Sequence, residues 1–242
     1  MTDLYREPGL DVYEKVHYGM GDHVREVEDI LSWYRPTSTR VLDIGCSGGL
    51  HVIEFAKRGF AATGIDVEPS AIERARKRCR DQRIDAAFYV LDIAHESLAD
   101  LGRFDLIYSI GNVLSHVDKS CALRVFKKIR ACLATDGIFL FDVLIIGSHF
   151  PEEIREDDLR IVWQRTLNRI TGEISLKGIF LDAGITEDYR VWGYGIEEAT
   201  EMLIQSGFCS VEYSDRLDFA NPGTRCATPV CLRFRAHAKE DV

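Results

Sequence analysis

The chain has 242 residues, with 30 lysines and arginines against 39 aspartates and glutamates, and a formal net charge of −9. This length suits one α/β domain with an accessory element. The acidic balance argues against a nucleic-acid partner, because phosphates are bound by a basic face. No apolar run reaches the about eighteen residues that a transmembrane helix needs.

The cysteines and the amino-terminal sequence bear on the compartment. The seven cysteines are scattered and lack paired CxxC spacing. This pattern favours reduced thiols over a disulfide framework or a zinc site. The first residues, MTDLYREPG, have no secretory signal pattern. We therefore expect a cytoplasmic protein with no metal site and no membrane contact.

The first predicted elements form an amino-terminal unit. A helix is predicted from Asp22, which can cap it, to about Tyr34. The segment DVYEKVHYGMG precedes this helix, and glycines bound its aromatic rings. Those rings belong to Tyr13, His17 and Tyr18. Two interpretations stay open: a mobile flap over a site, or an amphipathic segment packed onto the body.

Residues 41–49 read VLDIGCSGG and form the most informative segment of the chain. Apolar residues around one acid predict the end of a buried parallel strand, and the glycines predict a sharp turn. The pattern of Leu50 to Lys57 predicts a helix after the turn. Glycines at such a turn let a ligand approach the backbone, and the helix start offers unpaired N–H groups.

The spacing of this turn restricts the ligand. A dinucleotide site would need GxGxxG, whereas Ser47 stands in place of the second glycine. The carboxylate of Asp43 would repel a pyrophosphate and could attract a cation. S-adenosylmethionine fits, since it carries an ammonium and a sulfonium and no phosphate. A glycine-rich turn that holds no nucleotide stays open as the alternative.

Three further predicted strands also end in polar or small residues. They cover Ala61 to Asp66, Ala87 to Leu91 ahead of Asp92, and Phe104 to Ile110 ahead of Gly111. The carboxyl edge of an open α/β sheet is where ligands bind. Each acid alone could be a helix cap or a solvated loop residue. Their repetition at successive strand ends favours a binding site.

The carboxyl-terminal part departs from a minimal sheet. After a fifth strand, Ile138 to Leu144, the stretch Ile161 to Tyr194 alternates like strands and has turns at 171–172 and 182–184. It predicts three antiparallel strands that rise from the carboxyl edge of the main sheet. A helix over Ile196 to Gln205 and two last strands would follow. Those strands are expected near Ser210 to Tyr213 and Val230 to Ala236.

These elements predict an α/β fold. It consists of a Rossmann-like, seven-stranded, mostly parallel sheet with helices on both faces, plus a small antiparallel β insertion after strand 5. Four units are expected: a flap and helix over 1–39, a cofactor-binding core over 40–147, a lid or platform over 148–194, and a return to the core sheet over 195–242.

The run from about Arg40 to Leu144 resembles the class I S-adenosylmethionine-dependent methyltransferases. VLDIGCSGG is similar to their first motif, TGID to the end of their second strand, and YVLDI to their third-strand motif. FDLIYSIGNVLSHV and LATDGIFLFDVL are similar to their fourth and fifth segments. Ser47 departs from the usual glycine, but it is small, so little effect is expected. The flap and the insertion resemble those of sugar-amine N-methyltransferases, and the flap also that of glycine N-methyltransferase.

The resemblance implies a set of contacts with the methionine part of S-adenosylmethionine. Asp43 and the backbone of Gly45 would hold its ammonium. Ile110 would offer its carbonyl oxygen nearby. Cys46 and Gly49, in the same turn, are expected beside the cofactor.

The resemblance also implies contacts with the adenosine part. Asp66 would accept hydrogen bonds from both ribose hydroxyls, because a carboxylate has only acceptor sites. Val67 and Ile93 would sandwich the adenine. Asp92 would accept from the adenine amino group.

Methyl transfer requires an acceptor lone pair aligned with the C–S bond in a site without water. A base of near-neutral pKa is useful for the acceptor's proton. His116 is the first candidate, in GNVLSH, and His149 is the second, after the fifth strand. Either histidine could instead be a loop residue bonded to backbone. By resemblance, Tyr13 is expected to face the sulfonium.

The insertion is expected to cover a small acceptor. The predicted acceptor-binding residues are Tyr18, Asn112, Trp163, Tyr189 and Trp192. The aromatic and arginine content of the insertion suits a planar or anionic acceptor. Edge-strand solubility and dimer packing are the alternative explanation.

The sequence thus predicts a methyltransferase that acts on a nitrogen or oxygen of a small molecule, and it leaves a homodimer open. A binding protein of the same fold that transfers no methyl group is the alternative. A nicotinamide-dependent oxidoreductase is a weaker third reading.

Overall fold

The computed structural model describes residues 9–18, 22–33, 40–147, 150–157, 160–214 and 231–238. The helices are α1 (Gly9–Tyr18), α2 (Asp22–Trp33), α3 (Leu50–Lys57), α4 (Pro69–Gln82), α5 (Lys119–Ala131) and α6 (Ile196–Gln205). The strands of the main sheet are β1 (Arg40–Ile44), β2 (Ala61–Asp66), β3 (Ala87–Val90), β4 (Phe104–Ser109), β5 (Leu133–Leu144), β10 (Phe208–Ser214) and β11 (Cys231–Ala238). The strands of a second sheet are β6 (Glu153–Glu156), β7 (Ile161–Leu167), β8 (Glu173–Phe180) and β9 (Ile185–Trp192).

The main sheet has seven strands in the order β10-β11-β5-β4-β1-β2-β3. Strands β1 to β5 are parallel to one another, and β11 runs antiparallel to both β5 and β10. The chain moves outward from β1 to β3 and then returns to β4 on the other side of β1. Such a reversal opens a crevice at the carboxyl ends of the strands, where ligands bind in this fold class. The predicted Rossmann-like α/β fold is confirmed.

The alternation of side chains along the strands divides the core into two layers. Leu42 and Phe139 belong to a cluster on one face of the main sheet, which includes residues of α5 and α6. Val41 and Tyr108 belong to a cluster on the other face, which includes residues of α2, α3 and α4. Strands β1, β2, β4 and β5 are therefore covered on both sides, as buried parallel strands require.

The second sheet is antiparallel throughout, in the order β6-β7-β8-β9. Its two chain ends meet at one point: Tyr194 donates its N–H to Leu144 O over 2.8 Å, and Ile146 donates to Tyr194 O over 2.9 Å. The turns at 171–172 and 182–184 lie between its strands, as predicted. The three strands expected within 161–194 are confirmed, and a fourth strand, β6, precedes them. Its sequence EIRE has no apolar alternation to read, and its pairing with β7 holds it in place.

One face of the second sheet, which we call the inner face, covers the carboxyl edge of the main sheet. At one end Ile174 and Val191 pack against Leu144, the last residue of β5. At the other end Ile161 and Phe180 pack with Val12 and Tyr13 of α1. The inner face is thus supported by β5 and by α1, with the crevice of the main sheet between those supports.

Candidate active site

The glycine turn after β1 is fixed to the neighbouring strand. Gly45 and Cys46 both donate their N–H to Ile65 O, over 2.8 and 3.0 Å. Gly45 has a φ of 82°, and a Cβ there would lie 2.6 Å from Val113 Cγ2. Only glycine meets both conditions, since other residues rarely adopt positive φ and would need that space.

Asp43, at the end of β1, is a buried carboxylate that lacks a full set of partners. Its side chain is 4% exposed, and Oδ2 has no well-formed hydrogen bond within the described part of the chain. Burial raises the pKa of Asp43 to about 7, and the charge of His51 and the hydroxyl of Tyr108 oppose this rise. A cation bound at this carboxylate would complete it, which fits the ammonium of S-adenosylmethionine.

His51 links this carboxylate to helix α2. Its Nε2 lies 2.6 Å from Glu26 Oε2, and its ring stands edge-on to Tyr108, with centroids 6.4 Å apart. Burial opposes the charge of His51, but the hydrogen bond and the charge of Glu26 raise the pKa of the imidazole. No local sequence pattern indicates this contact between His51 and Glu26.

Asp66, at the end of β2, joins the glycine turn to the start of α4. Its Oδ2 accepts from Ser47 N over 2.8 Å, and its Oδ1 accepts from Glu68 N over 2.9 Å. Each oxygen has a further lone pair, so the carboxylate can accept ribose hydroxyls as well. Burial raises the pKa of Asp66, and these two N–H groups lower it. Ser47 Oγ is buried and has no partner among the described residues.

The residues predicted for the adenine differ in their surroundings. Val67 is 47% exposed, whereas Ile93 is 7% exposed and packs in the core of the main sheet. Asp92 already accepts from Ala94 N over 2.8 Å and lies 2.9 Å from the Nδ1 of His95. Val67 therefore offers an open apolar surface, while most of Ile93 is used in packing.

The loop after β4 is held by an acid that the sequence analysis did not select. Asp142, buried in β5, accepts from Gly111 N over 3.1 Å and from Asn112 N over 2.6 Å. Both loop residues have positive φ. The signal for Asp142 in the sequence is one acid inside the apolar run of β5. Its role depends on the parallel pairing of β4 with β5, which the sequence does not show.

His116 follows this loop and meets the inner face. Its ring centroid lies 6.0 Å from that of Tyr189, which lies 6.2 Å from that of Trp163. The His116 side chain is exposed to solvent, yet many protein atoms lie around it. This crowding lowers the pKa of the imidazole to about 4. Gly178 makes room for the two aromatic rings, because a Cβ there would lie 2.8 Å from Trp163 Cζ3.

Helix α1 lies over both the glycine turn and the inner face. Glu14 is 2.6 Å from Arg78 Nη2 and 3.2 Å from Arg74 Nη1, and Arg78 Nη1 donates to Gly48 O over 2.9 Å. The hydroxyl of Tyr13 lies 4.0 Å from where a Cβ on Gly111 would stand. The segment read as a flap or a packed element is therefore a helix fixed beside the crevice.

Other predicted residues lie elsewhere or outside the description. Trp192 is on the opposite face from Trp163 and Tyr189, and it packs against the core of the main sheet. Tyr18 belongs to α1, but its side chain is outside the described residues, as is His149 altogether.

The arginines of the insertion differ in their burial and in their partners. Arg165 is 3% exposed, donates to Pro151 O, and stacks over the ring of Phe150 at 4.4 Å. Arg169 and Arg190 are exposed, and Arg190 lies 3.2 Å from Glu173.

The described ranges contain no group of three or more histidine, cysteine, aspartate or glutamate side chains that could hold a metal ion. None of their helices combines the length and the apolar character needed to cross a membrane.

Known proteins resemble the chain in sequence and in fold. Residues 41–137 match the family model described as a methyltransferase domain. A protein of Geobacillus sp. (strain WCH70) named as a methyltransferase is 28% identical over 192 residues, which cover 74% of this chain and 77% of the relative. The magnesium-protoporphyrin O-methyltransferase of Rhodobacter capsulatus is 33% identical over 131 residues, which cover 49% of this chain and 55% of that protein.

A solved structure shares the fold over nearly the whole chain. It is the S-adenosylmethionine-bound amino pentose methyltransferase of Micromonospora echinaspora, with a TM-score of 0.69 and 20% identity, covering 94% of this chain and 97% of that chain. The crevice geometry, the methyltransferase-domain match and the shared fold agree with one another. The chain therefore carries a methyltransferase domain over residues 41–137 within the fold of the S-adenosylmethionine-dependent methyltransferases.

Proposed function

We propose that the chain transfers the methyl group of S-adenosylmethionine to a nitrogen or oxygen of a small-molecule acceptor. The acceptor would bind between the carboxyl edge of the main sheet and the inner face of the second sheet. The observation that carries this proposal is the contact of His116 with Tyr189, which joins the end of β4 to the inner face. The second sheet narrows the approach to this edge, which favours a small acceptor.

The methionine part of the cofactor would bind at the glycine turn. Asp43 would pair with the ammonium through its incompletely bonded Oδ2. Gly45 and the carbonyl of Ile110 would contact the same group, and Cys46 and Gly49 would border it. The positive φ of Gly45 and its close contact with Val113 support this role, since they leave the backbone bare toward a ligand.

The adenosine part would extend along β2 and β3. Asp66 would accept from the ribose hydroxyls with its remaining lone pairs. Val67 would cover one side of the adenine, and Asp92 with Ile93 would border its edge. The exposure of Val67 supports this assignment, because an open apolar side chain beside a crevice is suited to an aromatic ring.

When bound, S-adenosylmethionine supplies a methyl group on a sulfonium, which leaves as a neutral thioether. The neutral imidazole of His116 would accept the proton that the acceptor gives up. Tyr13 and the aromatic rings of the inner face would exclude water and orient the acceptor. Asn112, Trp163 and Tyr189 would contact it. His149 and Tyr18 stay in the proposal as secondary candidates.

Two similar proteins support leaving the acceptor atom open. The Rhodobacter capsulatus relative is named as an O-methyltransferase, whereas the Micromonospora echinaspora protein of the same fold is named as an amino pentose methyltransferase. The lowered pKa of His116 keeps the imidazole unprotonated at neutral pH in either case, and it makes the imidazole a weaker base than the near-neutral one expected from the sequence.

Calorimetry and a transfer assay test the proposal. S-adenosylhomocysteine should bind the purified protein and NADH should not. Asp66→Ala should lose that binding. With a panel of small amines and alcohols, release of S-adenosylhomocysteine should depend on an acceptor and should fall in His116→Ala. Turnover only on proteins or nucleic acids, or binding that is unchanged in Asp66→Ala, would contradict the proposal.

We further propose that the enzyme acts in the cytoplasm and forms a homodimer. Five cysteines of the described ranges are free thiols, which suits a reducing compartment. Sedimentation velocity at micromolar concentration should give twice the mass of the 27.4 kDa chain. A single species of monomer mass would exclude the dimer.

A further inference from the structure

Ser47, in the glycine turn, is held in a backbone conformation that disfavours it. Its φ is 47°, in the left-handed region that residues with a Cβ rarely adopt. Its N–H donates to Asp66 Oδ2 over 2.8 Å, and the carbonyl oxygen of the next residue, Gly48, accepts from Arg78 over 2.9 Å. The backbone is therefore fixed on both sides of Ser47. A glycine would adopt the same conformation at a lower cost.

The hydroxyl of Ser47 is also unfavourably placed in the protein alone. Ser47 Oγ is buried and makes no hydrogen bond with any residue of the described ranges. A buried hydroxyl without a partner costs free energy, because it has given up its hydrogen bonds with water. Ser47 thus combines a backbone cost with a side-chain cost. A ligand that accepted a hydrogen bond from this hydroxyl would offset both.

The position of the hydroxyl indicates which part of the cofactor it would contact. The side chain of serine is short, so Oγ stays near its own N–H, and that N–H is bonded to Asp66. Asp66 is the proposed acceptor for the ribose hydroxyls. A ribose hydroxyl that donates to Asp66 still has lone pairs on its oxygen, and these require a donor. An ionised carboxylate has no hydrogen to donate, whereas the hydroxyl of Ser47 has one.

We propose that Ser47 Oγ donates a hydrogen bond to a ribose oxygen of S-adenosylmethionine, so that Ser47 and Asp66 bind the same sugar as donor and acceptor. This inference rests on the proposed function, because it places the cofactor at the glycine turn. It also replaces the sequence-based expectation that serine instead of glycine has little effect here. The serine lowers the stability of the free protein and raises its affinity for the cofactor.

Ser47→Ala tests the hydrogen bond, because it removes the hydroxyl and keeps the Cβ. Calorimetry compares two ligands: S-adenosylhomocysteine, and methylthioadenosine, which has the ribose but lacks the amino-acid part. Both dissociation constants should rise by about three- to tenfold, and by the same factor. A rise for S-adenosylhomocysteine alone would place the hydroxyl at the amino-acid part and overturn the inference. Unchanged affinity for both ligands would overturn it as well.

Stability without ligand separates this role from a purely structural one. Ser47→Ala removes a buried hydroxyl that lacks a partner, so its urea midpoint should be no lower than that of the natural protein. Ser47→Gly also removes the backbone strain, so its midpoint should be higher, while its dissociation constants should rise as in Ser47→Ala. A lower midpoint in Ser47→Ala would show that the hydroxyl serves the fold and would overturn the inference.

Arg83→Gly is the matched control for the strain. Arg83 is exposed, follows α4 with a φ of 56°, and lies at the opposite end of this helix from Asp66. The substitution should raise the urea midpoint and leave both dissociation constants unchanged. An equal loss of affinity in Arg83→Gly would contradict a specific role of Ser47. If S-adenosylhomocysteine binds but Ser47→Ala has no effect, this inference alone fails. If S-adenosylhomocysteine does not bind the natural protein, the proposed function fails as well.

Discussion

His116 and Tyr189 form a contact between the two sheets, with their ring centroids 6.0 Å apart and their planes inclined by 56°. His116 is positioned by the loop that Asp142 holds, and Tyr189 is positioned by the register of β8 with β9. The candidate base and the candidate acceptor surface thus come from separate sheets. The position of one relative to the other depends on how the second sheet rests on β5 and α1.

Asp43→Asn should stabilise the protein and weaken cofactor binding. The folded-state pKa of about 7 lies above the ordinary aspartate value of 3.8. Without cofactor, the protein therefore bears the cost of a buried charge above pH 7 and loses that cost as the pH falls. At pH 8 the variant should gain about 2 kcal/mol in free energy of unfolding. It should bind S-adenosylhomocysteine at least about 100-fold more weakly, because a charged hydrogen bond is lost. Urea unfolding and calorimetry measure the two effects, and a variant that is less stable at pH 8 would contradict the account.

Cofactor binding should weaken as the pH falls from 8 to 6. Below pH 7 most Asp43 side chains are protonated in the free protein, and an ammonium ligand selects the ionised form. Binding should then release a proton, and the dissociation constant of S-adenosylhomocysteine should rise by up to about tenfold per pH unit. Calorimetry in two buffers of different ionisation enthalpy counts the protons. Asp43→Asn should show a flat profile, and a flat profile in the natural protein would exclude Asp43 as the ammonium ligand.

His116→Ala should reduce kcat by about 100-fold and leave the affinity for S-adenosylhomocysteine within about twofold, because a general base contributes only to the chemical step. The lowered pKa of His116 places the acid limb of the kcat profile below pH 6.5 and toward 4. His237→Ala is the control, since His237 pairs with Ile138, away from the carboxyl end of β5. An inflection in kcat between pH 6.5 and 8 that disappears in His116→Ala would show that the pKa of the imidazole is not lowered.

Glu14 and Asp11 offer a matched test of how α1 is held. Both contact Arg74, at 3.2 and 2.7 Å, but Asp11 is 72% exposed and Glu14 is 11% exposed. Glu14→Gln should cost about 1–2 kcal/mol of unfolding free energy, because it breaks a largely buried ion pair with Arg78. Asp11→Asn should cost under about 0.5 kcal/mol. Glu14→Gln should also weaken binding of S-adenosylhomocysteine. Unchanged binding would show that α1 does not support the glycine turn.

The sequence predicted the main sheet well for a physical reason. Buried parallel strands read as apolar runs, and each run here ends in an acid or a small residue at the crevice. Asp43 and Asp66 were selected in this way, and the structure gives both of them buried positions beside the glycine turn. Local pattern was sufficient because each strand end carries its own signal.

The remaining features depend on register between distant segments. Asp142 looks ordinary in the sequence, as one acid in an apolar run. Its importance follows from the pairing of β5 with β4. Trp192 shows the same effect in reverse, because strand alternation turns it away from Trp163. Strand β6 was missed because its strand conformation depends on pairing with β7 and not on its own residues.

The hydrogen bonds of Tyr194 with Leu144 and Ile146 join the second sheet to the end of β5. The whole second sheet leaves and rejoins the main sheet at this one junction. Strands between those ends can be exchanged, lengthened or recombined while the junction stays in place, because loop length itself carries a small entropic cost. The half of the enzyme that binds S-adenosylmethionine would be unchanged by such an exchange. Under the proposed function, methyl-acceptor range would therefore be a transplantable property of this architecture, separable from the cofactor.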